Sequence, residues 1–496
     1  LLRNTLANGM GNAINAVVTL SLTPFLLHRL GPAQYGVWLL ALSVTFSSGY
    51  LALADLGLPQ AAVRFIAEAR AIGAKEKINE IASTTIAVFM VVGAIAALAV
   101  AGLASAFVSL LGPVGGLAQP AREVFVLVGL GIVVDLPAAG LLAVIEGTQH
   151  YAMLRAIDVT SRLVWAGAVV VAVQAGHGVV ALGVASLGAS VLEAVAAVFV
   201  AHRVLPSLRL RPSLVNRKTL GRTMSFGSVI AVLQGLTVVY AQMDRAIVGI
   251  AIGAAAVAHY EVAYRLQSVA TLVMVMSASA VLPAAAYNAA RNESAKQREL
   301  FLRGTKYAVA LVLPPTLVAM VFARPLIVAW VGSAYASMAG PARLFLIYPL
   351  FGCLNQVGVA MLSGLGRLRR VVLIQAAAVS VNLVLSILLV GPLGISGVIV
   401  GTLVGNGLAF IPYTTLLLST FGVGVGTWVR RVIVPNLPAV VVQVLAELAL
   451  LHWVGGLHQL WEVVLLSGAS CALGLIVFST VGLGKGERRH LLQRLR

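Results

Sequence analysis

Charge is what this chain has least of. Asp, Glu, Lys and Arg make up 10% of its 496 residues, and only 16 are acids, against about 25% charged residues in an ordinary soluble domain. A water-soluble globule of this length cannot cover its surface with so few polar groups, which excludes that class. Disorder is excluded too, because 60% of the chain is apolar and disordered segments need low hydrophobicity. The 49 glycines keep no every-third-residue period, so the chain is not collagen-like. Cysteine is nearly absent: Cys353 and Cys471 stand in separate apolar stretches with no CxxC spacing and no His cluster beside them. Neither a disulfide framework nor a metal site follows, and both read as buried inert thiols. Walker A, HExxH and GxSxG sequences are missing, as is a DxD-like pair in a long loop. This leaves no enzyme chemistry of the soluble type, no built-in ATP motor and no expected cofactor.

What is present is hydrocarbon-compatible sequence, with a mean hydropathy of +0.99. A spanning helix needs about 20 mostly apolar residues. Apolar runs between Gly/Pro turns and charged clusters predict fourteen spans, at about 5–28, 35–60, 80–107, 122–145, 156–175, 179–201, 223–247, 256–283, 304–329, 341–364, 371–390, 395–418, 432–453 and 460–482. The expected fold class is therefore all-α integral membrane. Short junctions such as Leu30-Gly31-Pro32 and Gly391-Pro392-Leu393-Gly394 leave room only for antiparallel hairpins. The first residue is Leu, and no A-x-A cleavage site follows a short apolar core, so the start reads as a slightly trimmed first span and not a signal peptide.

The net charge of +18 invites a nucleic-acid partner until the cations are located. Of the 34 Lys and Arg, 27 fall in alternate loops and the tail. Only Arg29, Arg122, Arg162, Arg245, Arg265, Arg324 and Arg343 lie inside spans or at the other face. By the positive-inside rule the first set is cytoplasmic, with both termini inside, and no nucleic acid is implied. The richest stretch, 203–222, reads as a cytoplasmic linker. It suits anionic lipid headgroups, although a linker that only sets topology looks the same.

The chain also repeats weakly. Leu58-Pro59-Gln60-Ala61-Ala62 is echoed by Leu282-Pro283-Ala284-Ala285-Ala286, Ile145-Glu146-Gly147 by Leu362-Ser363-Gly364, and the stretch from Gly178 by that from Gly394. Offsets near 220 residues predict two six-span lobes, residues 1–202 and 223–419, joined by the linker 203–222. Spans thirteen and fourteen and a basic tail occupy 420–496. Six spans is an even number, so the halves enter from the same side, and such parallel repeats suggest lobes rocking around a central cavity.

Span one places Asn4, Asn8, Asn12, Asn15, Thr19 and Thr23 on one helical face. Such a stripe is either interhelical glue or the wall of a hydrated cavity. Three ion pairs are expected one turn apart: Arg64 with Glu68, Asp158 with Arg162, and Glu261 with Arg265. Arg265 is about nine residues into span eight, on the order of 14 Å deep and near the midplane. Arg29, Arg64, Arg162 and Arg245 sit at other depths, so the arginines form a series of cationic stations suited to phosphate. Asp55, Asp135 and Glu193 lack an obvious partner and are candidate ion-coupling sites, or else hydrogen-bonded structural acids.

The first hairpin reads Arg29-Leu30-Gly31-Pro32-Ala33-Gln34-Tyr35-Gly36, then Asp55-Leu56-Gly57-Leu58 and Arg64; further on come Asp244-Arg245, Gly253 and Tyr260. This wording resembles the polysaccharide (O-antigen type) flippases of the multidrug/oligosaccharidyl-lipid/polysaccharide (MOP) exporter superfamily, over nearly the whole chain. The resemblance implies a MATE-like pair of six-helix lobes related by a pseudo-twofold, with two further helices. It also implies a bacterial inner-membrane flippase that moves a polyprenyl-pyrophosphate-linked oligosaccharide to the outer leaflet by alternating access, for cell-surface polysaccharide synthesis. A polysaccharide polymerase and assembly proteins are candidate partners. Rival readings are a cation-coupled multidrug exporter of the same fold, which favours acids in its cavity, and a peptidoglycan lipid-precursor flippase. A membrane-embedded glycan polymerase needs a long outer loop, and the outer connections here are short.

Overall fold

A chain immersed in hydrocarbon must satisfy its own backbone hydrogen bonds, and for runs rich in Ala, Leu and Val the helix is the route. In the computed structural model, 90% of the described residues are helical, with no strand among them. Those are 2–45, 49–110, 115–279, 281, 285, 287–288, 291, 293–453, 459–484 and 486–488; residues 2–10, 12, 13, 110, 115, 229, 230, 233, 279 and 453 are described by backbone only. Ten helices among them are long and apolar enough to cross a membrane. They coincide with expected spans three to six and nine to fourteen. The other four expected spans fall on helices that carry most of the candidate polar residues.

Two compact units divide the chain, Leu1–Ala258 and His259–Arg496. The first holds α1 (Leu2–Leu42), a 3-10 turn (Tyr50–Asp55), α2 (Leu58–Ala71), α3 (Lys75–Leu110), α4 (Ala118–Gly147), α5 (Tyr151–Gln174), α6 (Val180–Val204) and α7 (Arg217–Ala251). α8 (Ala254–Ser279) begins in it. The second unit contains α9 (Ser294–Val321), α10 (Ala323–Val331), α11 (Ala339–Phe345), α12 (Ile347–Gly364), α13 (Arg369–Leu393), α14 (Ile395–Thr420), α15 (Leu437–Trp453) and α16 (Leu460–Val477).

Expected span two, 35–60, is not one helix. α1 runs on to Leu42, where the Ser43 and Thr45 hydroxyls donate to the carbonyls of Leu40 (2.6 Å) and Leu42 (2.8 Å). Hydroxyls that bond local carbonyls in this way compete with the helix ladder. The chain restarts as the 3-10 turn and then as α2. Within α1 the turn read at Leu30-Gly31-Pro32 appears as a break at Gly31 (φ 74°, ψ 168°). Expected spans nine and ten are likewise each divided, α9 from α10 and α11 from α12, and span thirteen is entered through a π-turn at Val429–Ile433.

The basic linker is built into the first unit. Asn79 Nδ2 donates to Ser207 O and Asn79 Oδ1 accepts from Arg209 N, both at 3.0 Å. Ser83 Oγ accepts from Arg211 N (3.2 Å) and Thr84 Oγ1 from Asn216 N (3.1 Å). One face of α3 therefore satisfies the backbone of a segment that has no ladder of its own.

Candidate functional site

Arg265 lies on α8, and its Nη2 reaches Oε1 of Glu261 at 2.6 Å, one turn earlier. The Glu261 side chain has no exposure, while 21% of the Arg265 side chain remains exposed. Arg265 Nε is buried with no hydrogen-bond partner among the described residues. Tyr260 and Tyr264 stack on each other and against Phe345, which stiffens the wall behind the pair. The helix thus presents a guanidinium whose charge is balanced but whose hydrogen-bonding fork is only partly used. Such a group can take a phosphate oxygen without leaving an uncompensated buried charge.

In the first unit Arg245 is buried on α7, with Nη1 donating to Gln242 Oε1 at 2.8 Å; Asp244 beside it is buried as well. Two amide oxygens, Gln234 Oε1 on α7 and Asn15 Oδ1 on α1, are buried without a partner among the described residues. Of the rest of the span-one stripe, Thr19 and Thr23 return their hydroxyls to the α1 carbonyls of Asn15 and Thr19, each at 2.8 Å. The side chains of Asn4, Asn8 and Asn12 lie outside the described residues, as does the repeat at 282–284.

Asp135 and Glu193, read from the sequence as isolated acids, share one neighbourhood. The hydroxyl of Ser190 on α6 bonds Asp135 on α4, and the charges of Asp135, Asp158 and Arg162 all act on Glu193. Asp158 is bridged by Arg155 at 3.5 Å in place of the Arg162 expected from i,i+4 spacing. Arg162 lies 5.4 Å over the ring of Trp165, whose indole N–H donates to Ser186 Oγ at 2.9 Å. Three carboxylates thus gather between α4, α5 and α6, an arrangement able to hold and pass a proton or a monovalent cation.

Arg64 does pair with Glu68, at 3.1 Å, but both are half exposed, and Arg222 from α7 joins the same carboxylate at 3.2 Å. Phe65 and Phe226 take the two guanidiniums on their faces at 4.4 Å and above. Arg29 is exposed near the Gly31 break.

Much of the first-hairpin motif closes helix junctions. Asp55 Oδ1 accepts from Gly57 N at 2.7 Å, tying a turn in which Leu56 (φ 52°) and Gly57 (φ 68°) are both left-handed. Gln34 Oε1 accepts from Val179 N at 3.0 Å at the start of α6. A Cβ on Gly36 would fall 1.7 Å from the Ala254 carbonyl oxygen, and one on Gly57 would fall 2.1 Å from that of Gly227. Both contacts are backbone against backbone, so only glycine fits.

Sequence reading passed over Glu447 on α15, wholly buried with Oε2 unpartnered among the described residues, and Asn382 on α13. Asn382 Oδ1 accepts from Ser386 (2.8 Å) and Thr402 (3.2 Å). One carboxylate in a seventeen-residue helix with no other acid and no Lys or Arg is the signal that marked Glu447. A groove of about 480 Å³ near Arg370, Ile411 and Pro412 includes none of the candidate residues.

Comparison with known proteins follows the same lines. The family described as polysaccharide biosynthesis protein matches residues 26–340. No curated protein matches the chain. Among solved structures, an inward-facing multidrug resistance MATE family transporter of the MOP superfamily is similar at a TM-score of 0.67 and 15% identity, covering 83% of this chain and 94% of that one. The outward-facing form scores 0.61, also at 15% identity, over 85% and 95% of the two chains. The lipid II flippase MurJ, in an inward closed conformation, scores 0.63 at 13% identity, over 94% of this chain and 98% of its own. At these identities the likeness is one of fold, which is MATE- and MurJ-like.

Proposed function

Since the chain belongs to the polysaccharide biosynthesis protein family, we propose that it is a MOP-type flippase. Its substrate is a polyprenyl-pyrophosphate-linked oligosaccharide, carried from the cytoplasmic to the outer leaflet of a bacterial inner membrane by alternating access. The observation that carries the substrate class is Arg265, near mid-depth on α8, neutralised by Glu261 and still offering part of its fork. A pyrophosphate supplies the two oxygens such a fork recognises, and buried amides such as Asn15 and Gln234 suit a glycan's hydroxyls. Arg245 is the corresponding buried cation of α7, and Arg29, Arg64 and Arg162 are further stations along the path. The two six-helix lobes of the sequence repeat are the moving parts of this scheme. Anionic lipids meet the exposed arginines of the linker, whose backbone α3 holds in place.

A specific observation favours a second reading. The gathering of Asp135, Asp158 and Glu193 suits a cation-coupled exporter of cationic drugs, within the same fold as the MATE transporters. Both readings use the acids as coupling sites; they differ in what the arginines are for.

Binding separates them. Purified protein in nanodiscs is titrated with a labelled polyprenyl-pyrophosphate oligosaccharide, its monophosphate analogue, lipid II and a cationic dye. Tightest binding to the pyrophosphate oligosaccharide supports the proposal. Preference for lipid II moves the substrate to a peptidoglycan precursor, and binding of the dye alone overturns the glycan reading.

A further inference from the structure

Glu447 lies beyond the residues the family match covers and outside every site proposed above. It is the eleventh residue of α15, on the order of 15 Å along the helix, and its side chain has no exposure. Gln443, one turn earlier, donates Nε2 both to Glu447 Oε1 (2.8 Å) and to the carbonyl of Pro314 on α9 (2.9 Å). The other carboxylate oxygen, Oε2, is buried with no partner among the described residues. The third wall is α16. Gly474 packs so tightly on Gln443 that a Cβ there would stand 2.3 Å from Gln443 Oε1. Ser470 stands one turn before Gly474 on α16. Ser470 is 2% exposed, and its hydroxyl also has no partner among the described residues; the same holds for Ser467 Oγ. The titratable neighbours are Cys471 on α16, which feels the Glu447 charge, and, on α15 itself, exposed His452. The α9 wall contributes Pro314 and Thr316. No cation forms an ion pair with Glu447 among the described residues.

An ionised carboxylate in that setting carries a heavy desolvation cost with one neutral donor to offset it. We propose that the seam of α9, α15 and α16 is a proton-binding site. Glu447 takes one proton from the aqueous phase to become a neutral carboxylic acid, so that no charge is left in the seam. The site stands apart from the arginines and from the Asp135–Glu193 group, so its test does not depend on the identity of the substrate.

Infrared difference spectra of the full-length protein in nanodiscs at neutral pH test it. Wild type minus Glu447→Gln shows a protonated-carboxyl C=O band that moves in heavy water. Wild type also loses thermal stability as pH is raised, whereas Glu447→Gln, which keeps the shape of the side chain, does not. Absence of the band difference together with unchanged pH profiles overturns the proposal. A melting temperature raised by sodium but not by choline in wild type, and unaffected in Glu447→Gln, overturns it as well, because the site would then belong to a metal cation.

Discussion

Arg265 Nη2 stands 2.6 Å from Glu261 Oε1, with the carboxylate sealed from solvent and the guanidinium partly open. The two residues are therefore one unit, and removing either does more than delete a charge. Arg265→Ala strands a wholly buried carboxylate, which costs about 3–5 kcal/mol. Joint replacement, Glu261→Gln with Arg265→Gln, leaves no stranded charge and restores most of that loss. Denaturation of the two variants in detergent checks this, and equal instability of the single and double variants contradicts it. Transport defects in Arg265→Ala alone are thus uninformative; the double variant carries the functional test.

Gly57 combines a left-handed backbone with a carbonyl 2.1 Å from where its Cβ would be. Gly57→Ala is expected to destabilise by about 1–3 kcal/mol. Gly102, in α3 with open space around it, gives the opposite sign, since Gly→Ala inside a helix gains roughly 0.5–1 kcal/mol. Thermal melts of both variants decide it, and a neutral Gly57→Ala refutes the close-approach argument.

The acid group of the first unit predicts a coupling phenotype. Asp135→Asn or Glu193→Gln should reduce gradient-driven transport by about tenfold or more, the equivalent of ~1.4 kcal/mol, while leaving substrate binding intact. The measurement is substrate accumulation in vesicles with and without an imposed proton or sodium gradient. A gradient response equal to that of wild type in both variants assigns these acids to structure.

The tail carries its own pH dependence. Glu487 accepts from Lys306 Nζ at 2.6 Å and from Tyr307 at 2.9 Å. Burial pushes its carboxyl up, but the bonds from Lys306, the Gly484 amide and Tyr307 outweigh this and hold it below the ordinary glutamate value. A lowered folded value means the contact contributes stability above the ordinary value and loses it as pH falls through the lowered one. The protection factors of amides around residues 484–488, which are exchange rates corrected for the intrinsic effect of pH, are thus expected to fall on acidification in wild type and to stay constant in Glu487→Gln. Protection factors that do not change with pH in wild type contradict this contact.

Some of this was legible in the sequence because it is local. The ten apolar spans follow from residue runs, and the Arg64–Glu68 and Glu261–Arg265 pairs follow from i,i+4 spacing. Contacts between distant helices leave no such trace: nothing local joins Glu68 to Arg222, Glu193 to Asp135, or Gln443 to Gly474. Asp158 misled for a related reason, since i+3 and i+4 cations compete for one carboxylate and packing chose Arg155. The first-hairpin motif marked the family, yet at Gln34, Asp55 and Gly57 its residues serve backbone closure. Asp55, one of the proposed coupling acids, has a carboxylate oxygen tied to the Gly57 amide.

Translocation tests the whole account. Proteoliposomes are loaded with a labelled polyprenyl-pyrophosphate oligosaccharide, and its appearance in the opposite leaflet is followed for wild type and for the stably folded Glu261→Gln, Arg265→Gln double variant. The account predicts transfer by wild type and a loss of at least about tenfold in the double variant, the equivalent of one lost charged contact of ~1.4 kcal/mol. Undiminished transfer by the double variant would remove Arg265 from the substrate path, and absence of transfer by wild type alongside export of a cationic dye would contradict the central claim.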